Sequence, residues 1–284
     1  MTMTNQTPVT IPVEELHPFA GHPYRVKDDE EMAALVESIC SQGILTPLAV
    51  RPTGNDEYEV ISGHRRLRAA EKAGMKEVPA FIYALDRDAA AIAVVDSNLH
   101  REHILPSEKA FAYKLKMEAL SHQGKVTSAQ LAPKLSTEKI GDADNISKDT
   151  VKRYIRLTNL LPELLQYVDN GNIAFTPAVE LSYLTEGEQR SLLETIQSEE
   201  CTPSLSEAQQ MKKLSQEGKL DVDSIFKLLT TPKANQKEKL SLPVDDIRKY
   251  FPKDVTARQM QEMILKLIKA DYERQRRRRD RDAR

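Results

Sequence analysis

The chain has 284 residues, 40% of them hydrophobic and 30% charged, enough for two or three small domains with real cores. No stretch approaches the roughly 20 apolar residues that span a bilayer, and the polar start, Met1 to Pro12, lacks the basic-then-apolar order of a secretory signal, so no membrane association and a cytoplasmic location are expected. Cys40 and Cys201 are far apart and in no ligand-like spacing, which argues against a disulfide framework or a zinc site.

In chain order, the first ~95 residues predict a mixed α/β unit. Glu30 to Ser41 carries Met32, Leu35, Val36 and Ile39 at helical spacing, with Gly43 placed to supply a left-handed cap. Leu48-Ala49-Val50 is a short apolar strand followed by Pro52 and Gly54 as turn residues, and Tyr58 to Ser62 alternates as the second strand of a hairpin. Gly63 breaks that strand, Leu67 to Ala73 reads as a helix closed by Gly74, Val78 to Tyr83 as a third strand, and Asp88 to Leu99 as an Ala- and Val-rich helix.

From Pro106 the signals are helical. Ser107–Leu120 is amphipathic, Thr127 opens a helix with Gln130 in capping-box spacing, and a polar connection covers Ser136–Asn145. Ser147 caps a helix expected over Lys148–Leu161 and ended by Pro162. Further helices are expected at Glu163–Val168, Thr176–Leu184 and Glu186–Glu199, whereas Cys201 to Gln236 has no clear pattern. A small unit of about two helices follows, and the tail contains Arg276 to Arg279 in succession. That arginine run reads as a charged tail whose phosphate contacts would add affinity without reading sequence. The expected class is α+β: a mixed α/β domain over 10–105, a helical domain over 106–200 and a small helical unit over 240–284.

The net charge of −2 is uneven: residues 1–100 sum to −6 and residues 101–160 to +4. A DNA-binding surface needs local positive charge rather than a basic chain, and the middle segment supplies it. Two stretches carry further chemistry. Ser62-Gly63-His64-Arg65-Arg66-Leu67-Arg68 lies between a strand and a helix; its Gly allows close backbone approach, the helix start offers unpaired N–H groups, and its arginines are bidentate donors, a combination suited to a phosphate-rich anion. Asp96-Ser97-Asn98-Leu99-His100-Arg101-Glu102 adds side-chain oxygens and another cation. Taken singly, these could be a solvated basic helix start and a polar helix end.

Taken together, and with Pro23-Tyr24-Arg25, Leu35-Val36-Glu37-Ser38-Ile39, Gly43-Ile44-Leu45-Thr46-Pro47-Leu48 and the Leu-Pro-Ser-Glu-Lys-Ala segment from Leu105, the order of motifs over about residues 10–190 resembles the ParB family of partition proteins. The family's Gly-Glu-Arg-Arg-x-Arg appears as Gly63-His64-Arg65-Arg66-Leu67-Arg68, and its Glu-Asn-x-x-Arg as Ser97-Asn98-Leu99-His100-Arg101. The resemblance implies an N-terminal domain that binds CTP with Mg2+. Gly63, His64, Arg65, Arg66 and Arg68 would line the phosphates, Gly43 and Thr46 the base, Ser97 and Asn98 the metal side, with Asn98 the metal ligand, and Arg101 would reach a phosphate. Two positions depart from the pattern: His64 and Ser97 each stand where the family has Glu. A Ser hydroxyl can ligate a metal but brings no charge; weak hydrolysis of CTP to CDP is the one activity the resemblance leaves open. It further implies a homodimer on a palindromic double-stranded DNA site, a clamp closed by CTP, and a ParA-type ATPase as partner.

Thr127–Leu135 and Ser147–Leu161 would be the helices of a helix-turn-helix, with Ser147, Lys148, Thr150, Lys152, Arg153 and Arg156 at the DNA and Tyr154, Ile155 and Leu157 toward the core. The connection Ser136–Ile146 exceeds the usual 3–4 residues, and Pro133 interrupts the first helix. The alternatives are a DNA-binding transcriptional regulator on the same scaffold and an enzyme. Sulfiredoxin shares the N-terminal fold, but its chemistry needs a Cys beside the His-Arg of the Gly turn; here that place is Gly63-His64-Arg65, and Cys40 lies well before it. No convergent carboxylates suggest a two-metal nuclease.

Overall fold

The computed structural model describes residues 7–54, 57–99, 104–123 and 146–231, with single positions within 137–144 and 250–272. Contacts divide the chain into Met1–Thr231 and Pro232–Arg284. In the first unit β1 (Val9–Pro12), β2 (Leu16–Pro18), β3 (Leu48–Gly54), β4 (Glu57–Ser62) and β5 (Glu77–Ile82) form one sheet in the order β1-β5-β3-β4-β2. β3 pairs antiparallel with β4 and parallel with β5; β1 closes one edge antiparallel to β5, and β2 the other, parallel to β4. Leu48, Val50, Val60, Val78 and Ala80 are fully buried in the core of this sheet with Leu67 and Ala70, each larger side chain contributing about 1.5–3 kcal/mol.

Three helices belong to this half: α1 (Glu30–Gln42), α2 (His64–Lys72) and α3 (Arg87–Asp96). Asp29 caps α1 by accepting from the Met32 N–H at 3.0 Å, and Gly43 ends it at φ 73°, the left-handed geometry a Cβ disfavours. Asp86 caps α3 through the Ala89 N–H. The helical half contains α4 (Pro106–Gln123), α5 (Lys148–Leu157), α6 (Pro162–Asp169), α7 (Phe175–Leu181), α8 (Glu186–Glu199), α9 (Leu205–Gln216) and α10 (Val222–Thr230). Their shared core runs from Ala110 through Leu157, Leu164, Leu181, Leu192 and Ile196 to Ala208, Met211 and Ile225, so the helical packing continues through α9 and α10. At the junction of the halves, buried Asp169 accepts from the Ser107 N–H and hydroxyl at 3.0 and 2.6 Å, and Glu108 accepts from the Arg25 N–H at 2.9 Å.

Several expectations are corrected. β1 and β2 are strands that local pattern did not predict. β3 continues through Pro52 to Gly54, with register shifts after Ala49 and Pro52 that absorb the missing donor. α2 begins at His64 rather than Leu67 because Gly63, at φ 105°, turns the chain directly into the helix. α5 stops at Leu157, not Leu161: Leu161 precedes a proline, takes ψ 145° and so cannot be helical. The stretch after Cys201, expected to be poorly patterned, forms α9 and α10. The expected helix Thr127–Leu135, Arg101, and most of the 136–146 connection and the 240–284 unit lie outside the described residues. In the second unit Met260 is buried, and Leu267, Ile268 and Tyr272 are exposed. Among the described residues, no helix is long and apolar enough to cross a membrane.

Candidate functional site

The junction of β4 and α2 is built by Gly63. A Cβ at this position would lie 3.1 Å from Leu48 Cγ and 3.1 Å from Arg66 Nη2, so both the left-handed φ and the lack of space require glycine. The first α2 hydrogen bond runs from the Leu67 N–H to the Gly63 carbonyl, and no side chain caps the helix. The N–H groups of His64, Arg65 and Arg66 therefore have no intrahelical acceptor, and the positive end of the helix dipole adds to them. An arrangement of this kind suits an anion.

The arginines of this turn take three directions. Arg66 folds back onto the segment after α1, its Nη1 donating to the Thr46 carbonyl and, at 2.8 Å, to the Pro47 carbonyl. It thereby ties the start of α2 to the Thr46-Pro47 carbonyls. Burial lowers the Arg66 pKa, although a guanidinium remains charged throughout. Arg65 instead reaches Asp29 at 3.5 Å and Glu31 at 3.2 Å. Arg68 pairs with Asp28 at 3.0 Å and Glu71 at 3.3 Å, and Lys72 joins Asp28 at 2.9 Å. Hydrogen bonds from Arg68 and Lys72 hold the Asp28 carboxyl below its ordinary pKa, and the bonds to Asp28 and Glu71 raise that of Arg68. The acidic start of α1 therefore neutralises two of the three arginines. The run Asp28-Asp29-Glu30-Glu31 was visible in the sequence as the signal for this.

His64 turns away from the arginines. Its ring stacks on His22 with centroids 3.7 Å apart, and its Nε2 accepts from the Phe19 N–H at 3.4 Å. At the end of α3, the Ser97 hydroxyl donates to the Val94 carbonyl at 3.0 Å. The buried Asn98 amide donates to the same carbonyl at 2.8 Å and to Ser97 Oγ at 3.1 Å. These two residues are thus brought together with each other, and their hydrogen bonds run to α3 rather than to the arginine turn. Among the described residues no group of three or more His, Cys, Asp or Glu side chains could hold a metal, so Ser97 and Asn98 offer a cation uncharged oxygens only.

The second surface lies on α5. Ser147 caps it, accepting from the Thr150 N–H at 3.1 Å, and its hydroxyl meets Thr150 Oγ1 at 2.8 Å. Lys148 pairs with Glu138 at 2.9 Å, which raises the lysine pKa, and Lys152 pairs with Asp149 at 3.4 Å. These are exposed pairs of little strength. Arg153 and Arg156 are held by α7 and the residues after it. Arg153 donates to Thr176 Oγ1 at 2.9 Å, its guanidinium 5.0 Å from the Phe175 ring centre. Arg156 donates to the Ser182 carbonyl at 3.1 Å, with its guanidinium 4.0 Å from the Tyr183 ring centre. Sequence reading missed Thr176, Phe175, Ser182 and Tyr183, because partners 23 and 26 residues away leave no periodic signal. Tyr154 stacks between Tyr113 and Phe175, Ile155 packs with Val151, and Leu157 is buried, as the helix pattern required.

Residues 1–99 match the family of the ParB N-terminal domain. A probable chromosome 1-partitioning protein ParB of Deinococcus radiodurans is 35% identical over 190 residues, covering 66% of this chain and 60% of the relative. The chromosome-partitioning protein Spo0J of Thermus thermophilus is 36% identical over 166 residues, covering 58% and 56%. The chain thus spans less than two thirds of the length of these relatives. Among solved structures, the C-terminally truncated ParB of Caulobacter crescentus complexed to the centromeric parS site is 25% identical with a TM-score of 0.42, covering 74% of this chain and 99% of that one. The same protein complexed with CTP-γ-S is 27% identical with a TM-score of 0.32, covering 67% and 99%.

Proposed function

Since residues 1–99 belong to the ParB N-terminal domain family, we propose that the chain is a CTP-gated, sequence-specific DNA-binding partition protein acting in chromosome or plasmid segregation. The observation that carries this reading is the uncapped start of α2 at Gly63, tied through Arg66 to the Gly43–Pro47 segment. The partition names of its relatives support it.

In this reading, the His64, Arg65 and Arg66 N–H groups hold a phosphate, and Gly43 and Thr46 border the base. Arg65 and Arg68 exchange their carboxylate partners Asp29, Glu31 and Asp28 for phosphate oxygens, with Arg101 as a further donor. Bound CTP supplies three linked anionic groups, enough to compete with the exposed acids of α1. Ser97 and Asn98 would hold Mg2+ through neutral oxygens, and the ion would offset phosphate charge there. Closure follows by linkage, because CTP favours a closed state only as far as it binds that state better than the open one. The α5 surface reads one half of a palindromic duplex, a homodimer reads both, and a ParA-type ATPase moves the complex.

Calorimetry with CTP and Mg2+, against ATP, GTP and UTP, tests the reading. CTP binds selectively, and Arg66→Ala weakens it about ten-fold or more, since the charge-assisted bonds by which Arg66 holds the Thr46 and Pro47 carbonyls beside the base are worth about 1.5–3 kcal/mol. Equal affinity for the four nucleotides, or unchanged affinity in Arg66→Ala, refutes it.

A further inference from the structure

Two arginines of α5 project toward α7, and they are held differently. Arg156 is anchored at the C-terminal end of α7: it donates to the Ser182 carbonyl and lies over Tyr183, whose ring also takes Lys212 at 3.7 Å. A cation on helix-terminal carbonyls is a structural fastening. Arg153 is held by a side-chain hydroxyl, Thr176 Oγ1, and over the ring of Phe175. Phe175 is itself fixed, its ring 4.6 Å from that of Tyr154, which in turn lies 5.6 Å from Tyr113. Among the described residues, no carboxylate forms an ion pair with Arg153, whereas Lys148 and Lys152 on the same helix each have one.

Arg153 thus combines an uncompensated charge with a fixed plane. A guanidinium has five N–H donors in a rigid fork, and Thr176 occupies one edge. A free arginine must be ordered when it meets DNA; this one is ordered beforehand, which lowers the entropy lost on binding. Bidentate recognition of a base edge depends on such orientation, whereas a phosphate contact tolerates a swinging point charge.

We infer that Thr176, backed by the Phe175 ring, is a positioning residue for sequence reading, holding the Arg153 guanidinium in the plane in which it meets a base edge. The inference rests on the reading of α5 as the DNA-reading helix and adds an element outside that helix. It makes α7 a determinant of specificity without its touching a base, and it makes Arg156 a fastening between α5 and the end of α7.

The test is a double-mutant cycle on the full chain. Wild type, Thr176→Val, Thr176→Ser, Arg153→Ala and the Arg153→Ala/Thr176→Val pair are compared on a duplex that the wild type selects from a random library, and on a random duplex of equal length. Thr176→Val keeps the shape and removes the acceptor; it should weaken the selected duplex about three- to ten-fold, leave the random duplex and the melting temperature unchanged, and relax preference at one base pair. Thr176→Ser should restore wild-type preference, and Thr176→Val should add nothing once Arg153 is Ala. If Arg153→Ala loses the selected duplex while Thr176→Val does not, or if Thr176→Val weakens both duplexes alike, the positioning role is overturned and the reading of α5 stands. If Arg153→Ala itself leaves the selected duplex unaffected, Arg153 reads no base and the positioning role is overturned; the reading of α5 falls with it only if Lys152→Ala is neutral on both duplexes as well.

Discussion

Gly63→Ala probes the proposed nucleotide site where backbone and side-chain geometry meet. Gly63 has φ 105°, and placing an L-residue in the left-handed region costs about 1–2 kcal/mol. The added methyl would lie 3.1 Å from Leu48 Cγ and 3.1 Å from Arg66 Nη2. Leu48 is fully buried in the sheet and has little room to retreat, so overpacking adds about 1–3 kcal/mol. The guanidinium end of Arg66 is the part that can move, and in moving it gives up the Thr46 and Pro47 carbonyls. The expected result is a loss of roughly 2–5 kcal/mol of stability, against the total of about 5–15 kcal/mol typical of a domain. A larger fall in CTP affinity should accompany it. Urea titration followed by circular dichroism reads the first, and calorimetry well below the transition reads the second. A Gly63→Ala protein that loses stability but binds CTP as wild type would refute the coupling between this turn, Arg66 and the nucleotide.

Other substitutions separate the remaining roles. Ser97→Glu introduces a charge beside Asn98 and should lower the Mg2+ concentration needed for CTP binding; an unchanged magnesium titration removes Ser97 from the proposed metal side. Lys152→Ala removes an exposed cation and should weaken selected and random duplexes alike, making the slope of log affinity against log salt shallower by about one. A loss confined to the selected duplex would instead make Lys152 a base reader. The pairs of Asp28 with Arg68 and Lys72 depress its folded-state pKa below the ordinary 3.8. Their contribution to stability is therefore complete above that value and is lost as pH falls through the lower, folded one. Thermal melts of Asp28→Asn should show a shallower acid dependence than wild type below about pH 4; coincident acid limbs would count against these pairs.

The glycine turn into α2 was legible in the sequence because its determinants are local. A glycine between a strand pattern and a helix pattern, followed by three arginines, fixes the uncapped helix start within seven residues, and Ser147 with Thr150 fixes the start of α5 in the same way. Gly43 ends α1 by the same kind of rule, and Glu186–Glu199 followed from its pattern alone. The order of these motifs also carried the family resemblance. β1 and β2 were not legible: they are four and three residues long, each ends in proline, and they exist through pairing with β5 and β4 far along the chain. α9 and α10 escaped notice because their buried positions, Ala208, Met211 and Ile225, are sparse among polar residues. Above all, the sequence placed arginines without saying where they point. Arg66 takes backbone carbonyls, Arg65 and Arg68 take acids at and just before the start of α1, and Arg153 and Arg156 take opposite ends of α7. A long side chain with several rotatable bonds finds its partner among groups brought near by packing, and that neighbourhood exists only once the sheet and helices have assembled.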